Sequence, residues 1–80
     1  MSRRDFIAEA RAIAARLEGL GVNEPAAALR DAIDFSSTGS EILFGLRFHL
    51  HQLVARADVP DDLDRDAKAL ADAIDAALKR

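Results

Sequence analysis

Cysteine, tryptophan and tyrosine are all missing from this chain, and each absence narrows what it can be. Without cysteine there are no disulfides and no thiolate chemistry, and redox conditions place no constraint on the compartment. Aromatic residues are scarce, with four phenylalanines alone, while seventeen of the hydrophobic residues are alanine. The expected core is therefore thin, built from helices packed closely through alanine. No Gly-rich phosphate loop is present. No apolar run approaches the ~20 residues needed to cross a bilayer, so a soluble, cytoplasmic protein is expected.

Eighty residues are enough for a single domain over residues 1–80, near the size at which a core alone leaves little surplus stability. Association with a partner or a second copy would help such a domain. The net charge of −3 is uneven: residues 1–57 hold seven Arg and seven acids, whereas residues 58–80 hold four bases and seven Asp. An acidic C-terminal segment disfavours a nucleic-acid footprint and suits a basic partner, or solubility alone. Near the start, Ser2-Arg3-Arg4-Asp5-Phe6-Ile7 has the look of a twin-arginine export signal. Glu9, Arg11, Arg16 and Glu18 interrupt the apolar stretch such a signal requires, so the segment reads as part of a helix.

What is present is helical periodicity from end to end, with no strand-like alternation and no internal repeat. Ser2 is a candidate first cap with Asp5 in the capping-box position, and Phe6, Ile7, Ala10, Ile13, Ala14, Leu17 and Leu20 follow as one apolar stripe; Gly19 and Gly21 offer positive-φ stops, so the helix should end near residue 19. Asn23 is placed to cap a second, short helix with Pro25 in its first turn and Leu29, Ala32 and Ile33 facing inward. Thr38-Gly39-Ser40-Glu41 forms the clearest helix start, a capping box in which each side chain serves the other's backbone amide. Pro60 ends the third segment and opens the fourth, whose stripe is Leu63, Ala67, Leu70, Ile74, Ala77 and Leu78. These signals predict an all-α, compact four-helix arrangement with three long helices at about 3–19, 39–57 and 60–79. A short helix at about 24–35 is expected as little more than a connector.

The third segment carries apolar residues on two sides. At about 100° per residue, Ile42, Leu43, Leu46, Leu50, Leu53, Val54 and Ala57 share one broad stripe, while Phe44 and Phe48 project away from it beside Arg47, His51 and Ala55. Either other helices of the domain cover both sides, helix 2 shielding the rings, or the second side docks another protein. Aromatic rings beside an arginine have the character of interface hot spots, so Phe44, Arg47, Phe48 and His51 are the candidate partner-binding residues.

Other chemistry is poorly supplied. His49 and His51 are the only histidines, and on a helix they point roughly 200° apart, which prevents them from holding one metal ion together. The aspartates of the fourth segment lie mostly on its outer face, and the hydroxyls at Ser36, Ser37, Thr38 and Ser40 are accounted for by turn and capping roles. No catalytic, cofactor or metal site is expected. A helix-turn-helix reading would send Glu41, Ile42, Leu43 and Phe44 into the groove, where arginine or amide side chains normally read base edges. Only Arg47 and Arg56 on the same helix favour that reading.

The stretch Thr38-Gly39-Ser40-Glu41-Ile42-Leu43-Phe44-Gly45-Leu46-Arg47-Phe48-His49-Leu50 resembles short bacterial helical proteins, some of them immunity proteins encoded beside secreted toxins. The resemblance implies a small non-catalytic inhibitor that occludes a toxin domain by surface complementarity. The alternative from the residues themselves is a structural homo-oligomer joined through the same phenylalanines, with a DNA-binding regulator a third option.

Overall fold

The computed structural model describes residues 4–79 and contains four helices: α1 (Phe6–Gly19), α2 (Asn23–Asp34), α3 (Gly39–Val54) and α4 (Asp61–Leu78). There is no strand among the described residues. Neighbours in sequence are neighbours in space, and α4 closes the ring against α1. Short connections and the pairing of Arg11 with Asp34 and of Arg30 with Glu18 make α1 and α2 antiparallel, as does Arg16 with Asp62 and Asp66 for α1 and α4. The radius of gyration is 11.8 Å, matching the ~12 Å of a compact chain of this length.

The core is wholly aliphatic. Ala10, Ile13, Ala14 and Leu17 of α1 meet Ala26, Leu29 and Ile33 of α2, Leu46, Leu50 and Leu53 of α3, and Leu63, Ala67, Leu70, Ala71 and Ile74 of α4. Val59, in the last connection, closes one end of it. No polar side chain among the described residues is buried with them.

Helix ends follow the expected chemistry with several shifts. The first helix begins at Phe6 rather than near residue 3, because Asp5 itself is the cap: its Oδ1 accepts from the Ala8 amide at 3.0 Å. The proposed role of Ser2 lies outside the described residues. At the other end the amide of Val22 donates to the Leu17 carbonyl at 2.9 Å and that of Gly21 to Glu18 at 3.1 Å, with Gly21 at φ +79°. This is a Schellman stop, and only a residue without Cβ adopts that φ cheaply. Because Val22 serves as the apolar residue after that stop, the next helix starts at once. Asn23 becomes its first residue instead of its cap and makes no capping hydrogen bond. Leu20, expected in the buried stripe, is turned out to solvent by the same stop.

Helix α2 is more than the connector its sequence suggested. Its 12 residues pack on both α1 and α3. Gly45 is where α3 approaches it most closely, since a Cβ on Gly45 would lie 3.1 Å from that of Ala32. The Thr38 capping box is present: Thr38 Oγ1 accepts from Glu41 N at 3.2 Å, and the Glu41 carboxylate reaches back to the amide of Ser37 at 3.1 Å, one residue further than expected. Helix α3 ends at Val54, not Ala57, so Ala57 is exposed rather than part of the inner stripe. The chain must leave the helix early to swing Val59 into the core, and Arg56 secures the turn through two bonds to Asp58 at 2.9 and 2.7 Å.

Candidate docking face on helix α3

Three neighbours fix the orientation of α3. Leu46, Leu50 and Leu53 point to the core; Gly45 meets α2; and Arg47 meets α4, its Nε 2.9 Å from Asp75 Oδ1. Phe44, Phe48, His51 and Ala55 lie within about 60° of one another around the helix, and this arc faces neither helix. The inference from periodicity that α3 has two apolar sides therefore holds. Phe44 is 55% exposed and Phe48 59%. The alternative that α2 covers the rings fails, because α2 sits beside the Gly45 edge.

Phe44, Arg47, Phe48 and His51 are brought together with Gln52 and Ala55 around one shallow depression, lined by no residue from any other helix. Phe48 packs edge-on against its neighbour His49, ring centres 5.2 Å apart at 75°. His49 itself turns toward α2, half-buried beside Glu24, Pro25 and Ala28, while His51 stays in solvent on the outer face. The two imidazoles thus diverge as the spacing requires, and no group of three or more metal-ligating side chains exists among the described residues.

Electrostatics around the face are largely settled within the chain. The Arg47 ion pair with Asp75 is close in distance, but its Nε–H is not aimed along it, and Nε is buried without a hydrogen bond among the described residues. Asp75 also receives Lys79 at 3.3 Å. Arg56 is taken up by Asp58, and that bidentate hydrogen bond holds the Asp58 carboxyl below the ordinary range. Glu18 is held low in the same way by Arg30, whose two bonds measure 2.9 Å each, on the α1–α2 side of the molecule. On α4, Asp62 and Asp66 grip Arg16 of α1 at 2.9 and 2.6 Å. A substantial part of the acidic segment is thereby spent on holding helices together.

Sequence reasoning missed a third ring. Phe35, the residue closing α2, is 81% exposed, and it comes one turn after Ala32, the point at which α2 touches α3. Its position just before the Ser-Ser-Thr-Gly turn was the available signal. Among the described residues Leu20 is the other large exposed apolar side chain, at the opposite end of the bundle near Pro60. No helix among the described residues is long and apolar enough to cross a membrane. No protein family matches this chain, and no curated protein or solved structure matches it either.

Proposed function

We propose that this chain is a small, non-catalytic, cytoplasmic protein-binding module of the immunity or antitoxin type, which occludes a partner protein with the outer face of α3. One observation carries the reading: Phe44 and Phe48 are each more than half exposed on a helix whose other sides are already occupied. Fully burying a phenylalanine stabilises by about 1.5–3 kcal/mol, so two half-bare rings forgo a sizeable share of what a domain of 80 residues has to spare. A partner that covers them recovers it. Phe44 and Phe48 supply the apolar anchors, His51 and Gln52 a polar margin, and Arg47 a cation at the border with α4.

The DNA-binding reading is the less favoured one. Arg47 and Arg56, the two cations that favoured it, each lie against a carboxylate of the same chain, which offsets the positive charge a phosphate would meet.

The test is affinity capture from the native host with the wild-type chain and with Phe48→Asp. Loss of the captured partner with unchanged helicity is the expected result. Capture that survives both Phe48→Asp and Phe44→Asp would remove the α3 face from the mechanism. A toxin-domain reading frame immediately upstream of the gene would strengthen the inhibitor assignment.

A further inference from the structure

We propose that, when no other partner is bound, the outer face of α3 is covered by a second copy of this chain, with the two α3 helices antiparallel. The inference rests on reading that face as a docking surface and names one occupant for it. The exposed positions 41, 44, 48, 51 and 55 recur at alternating intervals of three and four, the spacing of a helix–helix seam. Read in order they are Glu41, Phe44, Phe48, His51 and Ala55.

This seam is complementary to its own reverse. When a two-fold axis crosses α3 near residue 46, Phe44 of each copy meets Phe48 of the other, and Glu41 of each meets His51 of the other. Four rings stack in the middle, and an acid faces an imidazole at each end. A parallel pairing would instead set Glu41 against Glu41, which like charges disfavour. Glu41 and His51 are both exposed, and because the Ser37 amide takes only Oε2 of Glu41, the other carboxylate oxygen can accept from His51. The arginine nearest the axis, Arg47, would approach its own copy, but Asp75 at 2.9 Å already offsets its charge. The depression around the rings is bordered by α3 alone, so neither α2 nor α4 stands in the way of an approaching helix. The contact is short, and small interfaces of this kind are reversible.

The absence of cysteine makes the register directly testable. Light scattering across the micromolar to millimolar range should show mass rising from monomer to dimer, with Phe48→Asp raising the dissociation constant at least ~30-fold, as loss of a hot spot does. Mixing a chain carrying Glu41→Cys with one carrying His51→Cys under mild oxidation should give the mixed disulfide in preference to either homodisulfide. In the antiparallel register, identical positions at residue 41 are about 15 Å apart along the axis, beyond the ~7 Å that a disulfide spans. Glu41→Cys gives up the bond to the Ser37 amide but keeps the backbone amide of that position on the Thr38 hydroxyl, so α3 retains its cap.

A mass that stays monomeric to millimolar concentration, a dimer indifferent to Phe48→Asp, or a preferred Glu41→Cys homodisulfide would each overturn the inference. Capture of a host protein that is lost with Phe48→Asp would still uphold the docking face in the first of these cases. Mixed disulfides without any captured partner would uphold the dimer and remove the inhibitor.

Discussion

Phe48 and Leu50 are two residues apart on one helix, yet replacing them should have very different effects on folding. Leu50 is 0% exposed; truncating such a leucine removes its transfer energy and leaves a cavity, at a cost of about 2–5 kcal/mol. At about 0.05–0.15 kcal/mol per residue the whole domain holds only about 4–12 kcal/mol. Leu50→Ala should therefore lower Tm by about 8–40 °C, given about 4–8 °C per kcal/mol for a domain of this size. Phe48 is 59% exposed, so only about two-fifths of the ring has left water. Phe48→Asp should then cost about 0.6–1.2 kcal/mol, or about 2–10 °C. The new carboxylate stays in solvent and suffers no desolvation. With no Trp or Tyr in the chain, far-ultraviolet circular dichroism is the appropriate probe of both transitions. A Phe48→Asp protein that melts as early as Leu50→Ala would refute the geometry of α3 and everything placed on its outer face.

Three further outcomes follow from local contacts. Thr38→Ala removes the hydroxyl that accepts from Glu41 N and should cost about 1 kcal/mol, seen as a lower denaturant midpoint at constant m-value. Gly45→Leu forces a side chain toward the Ala32 methyl, only 3.1 Å from the Cβ position, and should cost about 1–3 kcal/mol; a double-mutant cycle with Ala32→Gly should return part of that loss, and strict additivity would contradict the close approach. The Glu18 carboxyl is held low by Arg30, so its contribution is complete above the ordinary glutamate range and fades as pH falls through that range and below it. Arg30→Ala should flatten that acid limb in a plot of Tm against pH by lowering the neutral plateau, leaving the most acidic points nearly unchanged.

Much of the fold could be read in the residues because it is written locally. Caps at Thr38, stops at Gly21 and Pro60, and the leucine and alanine stripes each act over a single turn, and they located four helices to within a few residues. The misplacements came from contacts between segments. Asn23 is a good cap by composition, but Val22 is committed to closing α1 and leaves no room for a capping residue. The third helix stops short because Val59 must reach the core, a demand that periodicity within residues 39–57 does not reveal. The standing of α2 was underestimated because its contact with α3 runs through Ala32 and Gly45, residues too small to register as a stripe. The outer face of α3 was legible from angle alone. That Asp75 would claim Arg47, and that Phe35 would also stand in solvent, depended on where other helices lay.

None of the four phenylalanines belongs to the buried core, which consists of leucine, isoleucine, valine and alanine. The molecule therefore separates its own magnetic-resonance reporters. Aliphatic methyl signals follow the integrity of the interior, while ring protons, three-quarters of them on half-bare or barer side chains, follow what is happening at the periphery. A titration that broadens aromatic peaks and leaves the upfield methyl region still would register an encounter at the surface without any isotope label, tag or dye.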